Sequence, residues 1–97
     1  MLFEESDDCL SPHVAQPCGT PFAIDWFREQ PRTERVRVRA HTCACQPVFY
    51  ELCQAGGVRF IRRTTVRRGR MKAMESPRAH AVVVDHLWEL LLTGRAR

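Results

Sequence analysis

Residues 48–66, VFYELCQAGGVRFIRRTTV, decide the fold of this chain. Two runs rich in Val, Phe, Tyr and Ile flank a pair of glycines, and these side chains favour β-strands. We therefore predict a hairpin that turns at residues 55–57. The alternative for residues 48–55 is a helix that begins after Pro47 and stops at Gly56.

The pattern of side chains also predicts the register of this hairpin. A two-residue loop would mix charged and apolar side chains on both faces. A three-residue loop at 55–57 instead pairs Leu52 with Phe60 and makes one face a core face, apart from Arg62. Such loops need a glycine in the left-handed conformation, which the sequence offers. Ile61 is accordingly predicted to lie on the face away from the core. The predicted core face consists of Val48, Tyr50, Leu52, Val58, Phe60, Thr64 and Val66.

A further strand, a long helix and a short helix are predicted outside the hairpin. Apolar and polar residues alternate through ERVRVRAHTCAC, residues 34–45, which is typical of a half-buried strand. Ser76 as an N-cap and Gly94 as a stop signal predict a helix over residues 77–93. A proline at the first helical position and another at the end predict a short helix over residues 21–29.

Together these elements predict a small two-layer α+β domain. A three-stranded antiparallel sheet would carry the C-terminal helix on one face, and the short N-terminal helix has no fixed place. Residues 1–20 are predicted to form an acidic, irregular arm, and residues 21–97 a single domain. The predicted strands span about residues 34–45, 48–54 and 58–66, and the C-terminal helix spans residues 77–93.

Charge is distributed unevenly along the 97 residues. Residues 1–31 carry six acidic side chains and one arginine, a net charge of −5, whereas residues 32–97 carry fourteen cations and five acidic side chains, a net charge of +9. The two sum to the formal net charge of +4. Fourteen of the fifteen cationic residues are arginines. This bias is typical of a GC-rich genome, and equally of bidentate recognition of phosphate or carboxylate groups.

The positive charge predicts a nucleic-acid interface with two parts. One part is the sheet face opposite the helix, and the other is the basic connector that follows the hairpin. Guanidinium groups that displace condensed counterions would supply the affinity. The alternatives are another anionic partner, such as an acidic protein surface, and a solvated face whose charges discourage aggregation. The predicted phosphate-binding residues are Arg35, Arg37, Arg39, Arg59, Arg63, Arg67, Arg68, Arg70 and Lys72.

The cysteines and histidines predict neither a metal site nor a catalytic site. On a regular strand Cys43 and Cys45 are too far apart for one tetrahedral metal, unless the chain bends at Gln46 and Pro47. The stretch CLSPHVAQPC, residues 9–18, could then add Cys9, His13 and Cys18 as ligands. His41 and Cys43 point the same way on that strand without touching, and no catalytic motif accompanies them. We therefore expect no bound metal, no cofactor and no enzymatic activity. The five cysteines, which include no CxxC pair, are Cys9, Cys18, Cys43, Cys45 and Cys53.

The sequence thus predicts a small cytoplasmic regulator or accessory factor that binds DNA or RNA. No apolar run approaches the roughly 20 residues of a membrane span, and the acidic beginning of the chain is unlike a basic signal peptide. The alternative is a protein–protein adaptor in a transcription or phage assembly, which acts through its acidic arm or its C-terminal helix. The apolar stripe of that helix predicts an interface for a partner or a second copy at Leu87, Trp88 and Leu91.

Overall fold

A five-stranded antiparallel sheet and one helix make up the described part of the protein. The computed structural model describes residues 11–30 and 34–97. Strands β2 to β5 follow one another as a meander, and β1 lies beside β5 in the order β1-β5-β4-β3-β2. No helix within the described ranges has the length and apolar character needed to cross a membrane. The elements are β1 (Phe27–Arg28), β2 (Val36–His41), β3 (Val48–Ala55), β4 (Val58–Arg67), β5 (Arg70–Glu75) and α1 (Ala81–Leu92).

The predicted three-stranded sheet with a short N-terminal helix is wrong, although the α+β class fits the structure. An extended segment that ends in β1 takes the place of the helix predicted over residues 21–29. Phe22 N donates to Arg95 O at 2.9 Å, and Phe27 pairs with Glu75 of β5. An isolated helix of this length is marginal, so backbone pairing with the C-terminal residues and with β5 prevails.

The basic connector predicted after the hairpin is in fact strand β5. Arg67 of β4 pairs with Arg70 of β5 across a turn at Arg68 and Gly69. The sequence of β5, RMKAME, contains no β-branched or aromatic residue, so propensity alone does not indicate a strand. The stability of β5 comes instead from pairing with β4 on one side and with β1 on the other.

The hairpin of β3 and β4 turns at a two-residue loop that begins with Gly56, so the predicted three-residue loop is wrong. Leu52 pairs with Ile61, and Cys53 pairs with Phe60. Gly56 has a φ of 60°, the left-handed conformation that tight hairpin turns require. The prediction failed because it assumed one buried face, whereas both faces of this hairpin are buried near the turn.

The two faces of the sheet carry separate apolar clusters. On one face, Cys53, Ala55 and Phe60 form a small buried cluster with Val36 packed against it. The other face packs against α1. Phe60 and Ile61 are both 0% exposed, so adjacent residues of β4 are core residues on opposite faces. The buried residues of the main core, between the sheet and α1, are Ile24, Tyr50, Leu52, Ile61, Val84, Trp88, Leu91 and Ala96.

Helix α1 begins at Ala81, four residues later than predicted. Ser76, the predicted N-cap, is buried, and its Oγ accepts a hydrogen bond from Ile61 N at 2.8 Å. The chain then continues beside β4, where Ala79 N donates to Arg59 O at 3.1 Å. Pairing with β4 therefore uses the segment that local signals assign to the first helical turn.

The described part of the N-terminal arm packs on the end of α1. Ala15 N donates to Leu92 O at 3.0 Å, and Cys18 N donates to Gly94 O at 2.9 Å. Gly94 follows the helix with a φ of 79°, as the predicted stop requires. A Cβ added at residue 94 would collide with Gln16 O. The arm and the helix end fit together only because this residue has no side chain.

Candidate nucleic-acid interface

The hairpin of β4 and β5 gathers cationic side chains on one face. Residues directly opposite each other in an antiparallel pair share a face, and Thr65 lies opposite Lys72 while Arg67 lies opposite Arg70. This face forms a groove of about 1010 Å³, which we call the basic groove. It presents five cations, and none of the described residues that line it is acidic. The lining residues are Arg63, Thr65, Arg67, Arg68, Arg70, Met71, Lys72 and Met74.

The turn of this hairpin presents its arginines to solvent. Arg68 has a φ of 51° and Gly69 a φ of 78°, the pair of left-handed conformations typical of a type I′ turn. A side chain in this conformation costs roughly 1–2 kcal/mol. β3 pairs with β4 no further than Thr65, so the turn projects past the end of β3. Arg67, Arg68 and Arg70 are all exposed.

Arg63 forms the base of the basic groove and is held there by stacking. Its guanidinium carbon lies 4.6 Å from the centre of the Trp26 ring, and that ring centre lies 6.0 Å from that of Tyr50. A cation over an aromatic face is stabilised by the ring quadrupole. Burial raises the pKa of the Tyr50 hydroxyl, although the charges of Arg63 and Arg97 lower it. The stacking contact with Trp26 therefore holds the Arg63 guanidinium in place before any ligand binds.

The opposite face of the same hairpin carries carboxylates beside its arginine. Arg62 Nε donates to Glu51 Oε1 at 2.8 Å, and Arg62 Nη1 lies 3.3 Å from Glu29 Oε2. The hydrogen bond with Glu51 raises the pKa of the Arg62 guanidinium above its ordinary value. Because Arg62 is balanced by these carboxylates, the excess positive charge of the hairpin lies on the face of the basic groove.

Arg59, a predicted phosphate contact, is engaged within the protein. Its Nη1 lies 2.6 Å from Asp85 Oδ1 of α1, and its Nε donates to Gln54 Oε1 at 3.3 Å. Arg59 lies opposite Gln54, on the sheet face that packs against α1. This side chain therefore links α1 to the sheet and lies outside the basic groove.

The arginines predicted on the first strand lie at the other end of the sheet. Arg37 lies opposite Gln54 on the face that packs against α1. The prediction that the arginines gather on the helix-free face is therefore wrong. The two-residue loop inverts the predicted faces of β4, and the face of Arg37 on β2 follows from its pairing with β3. Along β4, eight residues separate Arg59 from Arg67, about 26 Å at the rise of a strand. The exposed depression at this end is lined by Glu34, Arg35, Arg37, Arg39, Gln54 and Gly56.

The residues predicted at a partner interface belong to the core. Trp88 and Leu91 are buried in the main core, and Leu87 packs against it. The exposed large apolar residues of α1 are instead Val82 and Val83. An interface on α1 would therefore have to use its outward side, and the homodimer stays a prediction.

His13, Cys43 and Cys45 lie together although the sequence separates them. β2 ends at His41, so the two cysteines lie in the turn before β3 and not on a regular strand. The metal-binding atoms of the three residues all lie within 4.8 Å of one another. The expectation of no metal rested on a regular strand through Cys45, and this geometry removes its premise. Cys9 lies outside the described residues.

The nine predicted phosphate-binding residues thus fall into three groups. Five line the basic groove, three lie at the other end of the sheet, and Arg59 binds α1. The expectation that the protein is not an enzyme stays a prediction, as does the role of the acidic arm, whose residues 1–10 lie outside the described ranges. Comparison with known proteins adds no identification, because no protein-family model, curated protein or solved structure matches this chain.

Proposed function

We propose that the protein is a small cytoplasmic nucleic-acid-binding factor that contacts phosphates with the basic groove. The observation that carries the proposal is the convergence of five cations on one groove in which no described lining residue is acidic. Release of counterions from the bound phosphates would supply most of the affinity. Stacking of Arg63 on Trp26 reduces the entropy lost when that guanidinium meets a ligand.

The length of the basic groove favours a polyanion over a single small anion. Four residues of β4 separate Arg63 from Arg67, about 13 Å at the rise of a strand. Duplex DNA carries a phosphate about every 1.7 Å of helix axis when both strands are counted, so it presents more than one phosphate over this distance. A lone phosphate would reach only some of the five cations and leave the others without a counter-charge.

The lining of the basic groove also favours contact with the backbone of the nucleic acid. Besides its cations the groove contains Thr65 and two methionines, and no aromatic ring is among the described residues that line it. Aromatic rings are the usual stacking platforms for exposed bases. Contacts to phosphate position a protein without reading sequence, so we expect little dependence of affinity on base sequence.

Fluorescence anisotropy with labelled single-stranded DNA, duplex DNA and RNA tests this function. We expect the parent protein to bind at least one of them at low salt. The triple variant Arg67→Gln, Arg68→Gln, Arg70→Gln removes three of the five groove cations. We expect it to lose roughly tenfold or more in affinity. Because these side chains are exposed, its thermal stability should change little.

A second triple variant supplies a matched control. Arg35→Gln, Arg37→Gln, Arg39→Gln changes the net charge equally, but at the far end of the sheet. Arg37, which is level with Arg59, lies about 26 Å along the strands from Arg67. This distance exceeds the screening length of about 10 Å at 0.1 M salt, so we expect a much smaller loss. Equal losses of affinity in the two variants would show that binding depends only on net charge. The basic groove would then be rejected as the binding site. A parent protein that binds none of the three probes would favour an acidic protein partner instead.

A further inference from the structure

Two segments far apart in the sequence bring three metal-binding side chains together beside the end of α1. Thr42 anchors the turn that carries both cysteines, because its N donates to Tyr50 O at 2.9 Å and its Oγ accepts from Tyr50 N at 2.9 Å. The arm is joined to this turn by a hydrogen bond of 2.9 Å from Cys43 N to Pro12 O. That contact places His13, the next residue of the arm, beside Cys45.

The distances among these side chains are close to those of a zinc site. His13 Nε2 lies 3.3 Å from Cys45 Sγ, and the three donor atoms all lie within 4.8 Å of one another. Zinc bonds of about 2.3 Å to sulfur and 2.0–2.1 Å to nitrogen place tetrahedral ligand atoms roughly 3.5–3.8 Å apart. Small rotations of the side chains would therefore close the site. His13 and Cys45 are exposed, which leaves a path for the ion.

We propose that His13, Cys43 and Cys45 bind one zinc ion. Thiolate and imidazole donors select zinc over magnesium and calcium, which prefer oxygen ligands. On binding, both thiols lose their protons to solvent, and the two thiolates balance the double positive charge while Nε2 of neutral His13 completes the set. The fourth tetrahedral position is open to water or to a further ligand.

A zinc ion at this position would join the N-terminal arm to the sheet. The ligands His13 and Cys43 are 30 residues apart, so the ion would close a long loop in a small domain, where such cross-links add much of the stability. The turn that carries the cysteines also touches the hairpin, because Pro47 O accepts from Val66 N at 2.7 Å. The site is nevertheless separate from the basic groove, and its test does not depend on nucleic-acid binding.

Titration of the reduced, metal-free parent protein with Co²⁺ tests the site directly. We expect saturation at about one ion per chain, with the intense visible absorption of tetrahedral cobalt and a thiolate-to-cobalt charge-transfer band. Zinc should displace the cobalt and abolish both signals, and it should raise the melting temperature of the metal-free protein. A titration that gives neither absorption band would overturn the proposal without recourse to any variant.

Variants identify the ligands. Loss of a hydrogen-bond partner of a metal ligand weakens metal binding by roughly 10–100-fold. Loss of a ligand itself should weaken cobalt binding by more than this in each of the variants Cys43→Ser, Cys45→Ser and His13→Ala. Cys18→Ser is the matched control, because Cys18 is an exposed cysteine of the same arm that lies outside the cluster. It should bind cobalt as the parent does. If Cys18→Ser loses the metal as completely as Cys45→Ser, the assignment of ligands is wrong.

Discussion

Phe60→Ala and Ile61→Ala are each expected to lower the free energy of unfolding severely, by about 3–5 kcal/mol for Phe60 and about 2–5 kcal/mol for Ile61. Both side chains are fully buried. Ile61 packs in the main core beneath α1, whereas Phe60 lies on the opposite face, where the guanidinium carbon of Arg78 is 6.0 Å from its ring centre. Each truncation leaves a cavity that a close-packed sheet cannot refill. Urea unfolding followed by circular dichroism measures both losses.

Phe27→Ala is the control for this pair. It removes the same ring from a position that is 54% exposed, and we expect a loss of about 1 kcal/mol or less. A three-residue loop in the β3–β4 hairpin would place only one of Phe60 and Ile61 in a core. The observed register is therefore contradicted if Ile61→Ala costs no more than Phe27→Ala while Phe60→Ala has its full effect.

Gly94→Ala is expected to destabilise the protein by roughly 2–5 kcal/mol, because it combines two penalties. The φ of 79° is unfavourable for any residue with a Cβ. That Cβ would also collide with the backbone carbonyl of Gln16 in the arm. Since backbone yields less readily than a flexible side chain, the arm must shift away from α1. Thermal unfolding monitored by circular dichroism measures the loss.

Gly69→Ala separates the two penalties. Gly69 has a φ of 78°, nearly that of Gly94, but an added Cβ would have no atom within 4 Å. It should therefore cost only the conformational penalty, about 1–2 kcal/mol. The difference between the two variants measures the contact of the arm with the helix end. Equal losses would mean that the arm does not pack on Gly94.

The parts of the fold that could be predicted from the sequence are those determined by residues close together in the chain. The β3–β4 hairpin, the alternating strand at Val36–His41 and the stop at Gly94 all depend on residues close together in the chain. The register and β5 depend on contacts between elements. Apolar side chains on the two faces of β4 belong to two separate clusters. A register chosen to give one buried face therefore misses one of them. Ser76 likewise accepts a hydrogen bond from Ile61 N and does not cap the helix.

The candidate sites show the same division. The charges of Arg67, Arg68, Arg70 and Lys72 are visible in the sequence, but their position in one groove follows from the pairing of β5 with β4. The Cys–His cluster arises from docking of the arm on the β2–β3 turn. The sequence offers His13 as a possible ligand, but a CxC spacing does not indicate that a histidine 30 residues away lies beside it. The local indication of a departure from a regular strand is Gln46 and Pro47, where the chain can bend after Cys45.

The salt dependence of binding tests most directly whether the basic groove contacts phosphates. If all five groove cations do so, the slope of log K against log salt concentration for duplex DNA is about −4.5. The Arg67, Arg68 and Arg70 triple glutamine variant keeps two groove cations, so its slope should fall to about −1.8. The triple variant at residues 35, 37 and 39 should keep the parental slope. The proposed function would be contradicted if the slope of the parent protein were near zero. It would also be contradicted if the triple variant at residues 67, 68 and 70 had the same slope as the parent.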